Sequence, residues 1–255
     1  MSWHLGRLAG FDTETSGVNV DNDRIVTACI VEVGGNLPPT PANWLINPGI
    51  DIPAQASDIH GVTTEKAKAE GQDAAEGIAE LVASLTQIVL AGTPLVIMNA
   101  PFDLTLLDRE ARRYGVQPLS DVVGDELRVV DPKVLDKHLD MYRPGKRTLT
   151  DLCRHYGVKL DGAHSADADA IATCRVAWRL GNVFPKLAEM TLLELHKTQA
   201  EWHAAWAANF QAHLRGKGQT DAVIDTAWPL RPAPPGVKRR DQPAASPPSD
   251  RRPRR

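Results

Sequence analysis

Hydrophobic and polar positions along the chain change their period once, from two to about 3.6. Residues 8–11 are a short apolar run, and residues 24–33 alternate with β-branched side chains up to Gly34-Gly35, so both are predicted strands. Residues 43–46 are a third, closed by Asn47-Pro48-Gly49. The short turns between them predict an antiparallel meander. After that the pattern is helical. Thr63 or Thr64 can cap a short helix, and Asp73 can cap one through Leu90 with Ile78, Leu81, Val82, Leu85 and Val89 on one face. Residues 95–98 and 128–131 read as buried strands, and residues 101–114, 149–156, 165–180 and 191–215 as helices. A meander followed by alternating helix and strand predicts an α/β domain with a mixed sheet over residues 1–184. Residues 185–228 then form a C-terminal helical extension, whose Leu192, Leu195, Trp202, Trp206 and Phe210 lie near one face. That face is expected to pack on the body; a partner-binding seam is the other reading.

Composition narrows the class. With 255 residues, 42% of them apolar and 24% charged, the chain has material for a sizeable core, which excludes whole-chain disorder and a fibrous class. Cys29, Cys153 and Cys174 are too few and too scattered for a disulfide framework or zinc ribbon, and are expected as small core residues in a reducing compartment. The first ten residues carry no signal-peptide apolar core, and the most apolar stretch, residues 81–98, is interrupted by Thr86, Gln87 and Gly92-Thr93-Pro94. A cytoplasmic protein with no membrane span is expected. Net charge, −3 in all, changes the picture only when it is split: residues 229–255 carry +6 and 8 of the 19 prolines, leaving −9 on residues 1–228. Such a segment cannot bury enough apolar surface to offset its ordering entropy, so a disordered basic tail is expected over 229–255. Its Lys238-Arg239-Arg240 cluster and the arginines at 251, 252, 254 and 255 can hold a polyanion; a solvated, solubilising tail has the same composition.

The candidate chemistry is carboxylate chemistry. Asp12 and Glu14 end the first strand, and side chains two apart in an extended chain point to the same side. Taken alone, this is also how a solvated strand end looks. Asn99 and Asp103 bracket the turn that follows residues 95–98, where a cap and an acidic first turn are sufficient structural reasons for both. His164 and Asp169 stand where a glycine-containing loop enters a helix. Asp169 falls on that helix's apolar side and Asp167 points about 200° away. An acid on an inner face is costly unless paired or metal-bound, which favours function at Asp169 over Asp167. His4, His138, His155, His196, His203 and His213 show no ligand spacing and are expected at the surface.

Asp12-x-Glu14 after the first strand, Asn99-x-x-Phe102-Asp103 after a middle strand, and His164-x-x-x-x-Asp169 opening a late helix occur in one order. This resembles the DnaQ-like 3′→5′ exonuclease family, the DEDD group in its histidine variant, which includes the proofreading subunit of bacterial DNA polymerase III. The likeness spans about residues 7–183 and includes the segment Ile59-His60-Gly61-Val62-Thr63. The resemblance implies an RNase H-like fold with a five-stranded mixed sheet flanked by helices, and hydrolysis of phosphodiesters from a 3′ end to nucleoside 5′-monophosphates. It implies that Asp12, Glu14 and Asp169 hold one divalent ion, that Asp12 bridges to a second completed by Asp103, and that His164 is the general base. It also implies contacts to the terminal nucleotide around Thr13, Thr15 and Gly17. Asn99 and Phe102 can contact sugar or base, though a phenylalanine there is also a core residue; His60 can reach the nucleotide or merely satisfy backbone groups.

The chemistry agrees with that implication. Two divalent ions stabilise the attacking and departing oxygens of an anionic diester together. An all-oxygen donor set with one histidine favours two Mg²⁺ or Mn²⁺ ions over zinc. The expected partners are single-stranded DNA or RNA 3′ ends, DNA being favoured, together with a DNA polymerase or another replication or repair protein. Two other functions compete: a non-catalytic nucleic-acid-binding or recruitment module of the same fold, and an RNase H-like endonuclease or integrase. All five chemical positions are present, which disfavours the first. His164 five residues before Asp169 disfavours the second.

Overall fold

A computed structural model describes residues 2–160 and 165–233. Its sheet has five strands in the order β3-β2-β1-β4-β5. Strands β1 (Arg7–Thr15), β2 (Ile25–Gly34) and β3 (Leu37–Leu45) form the expected antiparallel meander. Helices α1 (Ala54–His60), α2 (Thr64–Glu70) and α3 (Ala74–Leu90) lead into β4 (Leu95–Val96), which lies parallel to β1. Helices α4 (Ala100–Arg113) and α5 (Leu119–Val123) precede β5 (Val129–Val130), parallel to β4. The remainder is helical: α6 (Pro132–Leu139), α7 (Leu149–Tyr156), α8 (Ala166–Val183), α9 (Pro185–Glu189) and α10 (Leu192–Gly216).

Alternation along β1 decides what each face of the sheet carries. Ala9 and Phe11 join β2's Ala28 and Ile30 in the larger core, under Ile78, Leu81 and Leu85 of α3 and Leu106 and Leu107 of α4. Leu8 joins Val96 and Val130 in a second core under α7 and α8. Gly10, Asp12 and Glu14 share Leu8's parity and so belong to the α8 face. Gly10 sets how closely α8 approaches. A methyl group there would lie 2.5 Å from the Ala170 carbonyl oxygen and 2.9 Å from Cys174 Sγ, so only glycine lets the helix backbone rest on the strand at that point.

Several elements differ from expectation for identifiable reasons. Strand β3 begins six residues early because Leu37–Ala42 is an exposed edge holding Pro38, Pro39 and Pro41, where missing N–H groups are tolerated and no apolar alternation is needed. Helix α1, which no local pattern announced, ends at His60, with Gly61 left-handed at φ 72°. Helix α6 carries the local signature of a helix start, Asp131 accepting from the Lys133 and Val134 amides ahead of a proline at the first position. His4 is buried, and His196 is half-buried with Nδ1 accepting from the Val129 amide at 3.1 Å, so neither is a surface residue.

Helix α10 packs on the body. Strand β5 is a sheet edge, and its outward polar groups are taken by α10: Gln199 Oε1 accepts from the Asp131 amide at 2.7 Å, and Gln199 Nε2 donates to the Val129 carbonyl at 2.9 Å. A helix thus covers an edge that would otherwise invite strand addition. After α10 the chain returns over the body as a strap. Trp228 is buried with its indole donating to Asp131 at 3.3 Å, the Arg231 amide donates to Thr105 Oγ1 at 3.0 Å, and Leu230 packs on the larger core. The composition boundary at Pro229 therefore falls inside an ordered segment. The three cysteines are buried free thiols, and among the described residues no helix is long and apolar enough to cross a membrane.

Candidate active site

Strand β1 delivers two carboxylates to the α8 side, and the first turn of α8 delivers a third. One oxygen each of Asp12, Glu14 and Asp169 lies within 4.8 Å of the others. The Gly10 contact just described brings Ala170, and with it Asp169, down onto β1. Asp167, two residues earlier, is exposed and accepts from Ser165 Oγ at 2.6 Å.

Asp103 enters from α4. Asn99 takes a left-handed conformation (φ 67°) that turns β4 sharply into the helix, and Asp103 follows in the first turn, where its charge suits the helix N-terminus. Its Oδ1 accepts from the Thr13 hydroxyl at 2.7 Å and the Thr13 amide at 3.2 Å, so β1 fixes its position. Asp131 holds the turn from beneath: fully buried, it accepts from the Asn99 and Ala100 amides at 3.1 and 3.0 Å. Sequence reasoning passed over Asp131 as a strand end; Asp-Pro ahead of a helical octet was the available signal.

The electrostatics follow from crowding acids in a dry place. Burial first, and then Asp103, Asp169 and Glu14, push Asp12 well above the usual carboxylate range. Burial and the neighbouring Asp169 and Asp103 push Glu14 up to about 7. Burial raises Asp103 to about 7 against the opposing Thr13 hydrogen bonds. In the metal-free protein these groups hold protons that a cation would displace. All donors are hard oxygens, so the set fits Mg²⁺ or Mn²⁺.

The other expected site residues divide. His60 lines a cleft of about 410 Å³ together with Glu14, Trp44, Lys66 and Asp167, and its Nδ1 accepts from the Val62 amide at 3.2 Å. Burial lowers its pKa while hydrogen bonding at the Thr15 backbone opposes this. The hydroxyls of Thr13 and Thr15 are engaged internally, with Asp103 and with the Gly17 carbonyl. Gly17 packs against the Asp23 carboxylate. Phe102 is half-buried on the larger core, and Asn99 Oδ1 accepts from Lys133 Nζ at 3.0 Å. His164 lies outside the described residues. A second cluster, Asp136, Asp140 and His155, also has close donor atoms. Asp136 there is saturated by Arg143, Arg147 and the Tyr156 hydroxyl, each at 2.8 Å, which is a structural clasp of α6 onto the following segment.

The family model described as Exonuclease (RNase T) matches residues 9–177. A DNA polymerase III subunit epsilon from Treponema pallidum is 29% identical over 163 residues, covering 64% of this chain and 71% of that protein. A PolC-type DNA polymerase III from Lacticaseibacillus paracasei is 24% identical over 218 residues, and the match spans only 14% of its length. Among solved structures, E. coli exonuclease I in complex with a dT13 oligonucleotide aligns with a TM-score of 0.57 at 20% identity, over 71% of this chain and 43% of that one. The shared fold is RNase H-like, with the mixed five-stranded sheet described above.

Proposed function

Because the chain belongs to the exonuclease family, and with it to the nucleases, we propose that it is a metal-dependent 3′→5′ exonuclease that releases nucleoside 5′-monophosphates, with DNA as the favoured substrate. The observation that carries this reading is the cluster of Asp12, Glu14 and Asp169 within 4.8 Å, in which burial and the neighbouring acids raise Asp12 and Glu14 above the usual carboxylate range. Such an arrangement is unfavourable until a cation joins it. Asp12, Glu14 and Asp169 would hold one ion, with Asp12 and Asp103 serving a second. Bound there, two divalent ions supply the charge that stabilises both the attacking and the departing oxygen of an in-line displacement.

The chain's own residues do the rest. Thr13 fixes the rotamer of Asp103, and the close seat of α8 on Gly10 fixes Asp169 against β1. His164, as a neutral imidazole, takes the proton of the attacking water. The new bond joins water oxygen to phosphorus; the bond to the 3′ oxygen breaks, and that oxygen takes a proton from solvent to become the hydroxyl of the shortened strand, while His164 releases its proton to solvent. His60, Thr15 and the cleft beside Glu14 receive the terminal nucleotide. The exonuclease I neighbour is described in complex with an oligonucleotide, and the epsilon and PolC relatives are polymerase proteins, which supports a single-stranded 3′ end as substrate and a polymerase or repair protein as partner. The buried free thiols support a reducing, cytoplasmic setting.

The test is a sequencing gel of 5′-labelled single-stranded DNA and same-sequence RNA with Mg²⁺ or Mn²⁺. A metal-dependent ladder from the free 3′ end, abolished by a 3′ block and by Asp12→Ala, is expected. Internal fragments would make the enzyme an endonuclease, and intact strands a binding module.

A further inference from the structure

A cavity of about 320 Å³ lies between α6, α10 and the returning strap, and its inner wall is the turn from β4 into α4. That volume is within the range of small-ligand sites. Its chemistry is cationic. Lys133 and Lys137 both line it, four residues apart on α6 and therefore on one face. Lys133 reaches Asn99 Oδ1 at 3.0 Å, and Lys137 Nζ sits 3.0 Å from the centre of the Trp206 ring. Among the described residues neither lysine has a carboxylate within ion-pair distance, and Asp131 acts on both only at longer range. The two acids that line the cavity are already engaged. Asp131 accepts from the backbone of Asn99, Ala100 and Lys133 and from the Trp228 indole, and Asp225 pairs with Arg231 at 3.5 Å. Burial first, and then Lys133, hold Lys137 down at about 7, and Asp131 opposes them only in part.

Position gives the cavity its meaning. Asn99 in its wall precedes Asp103 by four residues, about 6 Å along a helix axis. The cavity wall at Asn99 thus stands about one helical turn from Asp103, and α10 and the strap, which lie beyond the family match at residue 177, close the far side.

We propose that this cavity is a second nucleic-acid subsite, which takes a backbone phosphate of the substrate strand internal to the end being cut, between Lys133 and Lys137. The sugar and base rest on the apolar wall of Val134, Val223 and Ile224. Trp206 holds Lys137 in place through the face of its ring. The identity of the ligand rests on the nuclease reading; the anion site itself does not.

The experiment is fluorescence anisotropy of a labelled single-stranded DNA 12-mer with the full chain in EDTA, where no cleavage is needed. Lys137→Met is expected to weaken Kd five- to tenfold and to reduce the slope of log Kd against log salt by about 0.7, the share of one phosphate on a single strand. Lys137→Arg should restore Kd to within about twofold of wild type. Lys133→Gln removes the charge while Asp131 still holds the Asn99–Ala100 turn, so it provides an independent variant and should weaken binding similarly. Unchanged Kd and salt slope in both charge-removing variants overturn the proposal. Millimolar inorganic phosphate raising the wild-type Tm but not that of Lys137→Met, with strand affinity unchanged, would make the cavity a free-anion site and also overturn it. If the wild type binds through these lysines yet yields no ladder on the gel, the subsite stands and the exonuclease reading fails.

Discussion

Removing metal from the protein makes the carboxylate cluster a measurable liability. Asp103 is fully buried and raised from an ordinary 3.8 to about 7, and Glu14 from 4.5 to about 7. At 1.36 kcal/mol per unit, Asp103 alone corresponds to about 4 kcal/mol. Glu14 is partly exposed, so solvent screening reduces its share, and the two groups have neighbours in common; about 4 kcal/mol therefore serves for Asp103 and Glu14 together. Below pH 4 both the folded and unfolded chains are protonated and nothing is lost. Between about pH 4 and 7 the unfolded chain ionises while Asp103 and Glu14 of the folded site keep their protons, so their contribution lowers stability across that window. For a chain of this size the loss is about 8–16 °C in Tm. Differential scanning fluorimetry in EDTA from pH 5 to 8 should capture most of this decline. Saturating Mn²⁺ should remove it by binding the ionised folded site. The double variant Glu14→Gln/Asp103→Asn should be more stable than wild type in EDTA at pH 7.5 and show a flatter profile. A wild-type Tm that is level from pH 5 to 8 in EDTA, or an equally steep decline in the double variant, refutes the reasoning.

Other perturbations separate support from chemistry. Gly10→Ala places a methyl 2.5 Å from the Ala170 carbonyl, so it should cost about 1–3 kcal/mol and also shrink the Mn²⁺-induced rise in Tm, because α8 carries Asp169 away as it shifts; an unaltered rise would show that α8 does not set the site. Asp131→Asn turns an amide N–H₂ toward backbone donors that now have a carboxylate, a cost of about 2–3 kcal/mol in a urea melt. The same variant should slow cleavage, since the turn carrying Asp103 loses its support.

The parts of the fold legible from sequence are those whose burial is written in their own periodicity. Helices α3 and α8 each bury an apolar stripe, and β2 is a nearly continuous buried run rich in β-branched residues. Strand β3 is exposed and rich in proline along its outer half, so no local pattern announces it. Helix α6 turns Lys133 and Lys137 toward a cavity that exists only once α10 and the strap are in place. Strand and helix geometry put Asp12 and Glu14 on one side and separate Asp169 from Asp167, whereas the grouping of Asp103 with them came from the order of the motifs and the family resemblance. Asp131 and Gly10 were not: one acts on amides 31 and 32 residues away, the other through the absence of a side chain against a helix 160 residues on. Trp228 lay hidden at the border of a proline-rich segment that composition alone marks as unfolded, although its indole reaches the core.

The most direct measurement of the site assignment compares wild type, Asp167→Ala and Asp169→Ala for mononucleotide release from a single-stranded oligonucleotide in Mn²⁺. The two acids lie two residues apart in one helix turn, so their variants share helix propensity, charge change and local sequence. Asp169→Ala is expected to lose at least a thousandfold in kcat and to abolish the metal-induced rise in Tm, while Asp167→Ala stays within about threefold of wild type. Comparable losses in both, or a fully active Asp169→Ala, would contradict a metal centre built from Asp12, Glu14 and Asp169.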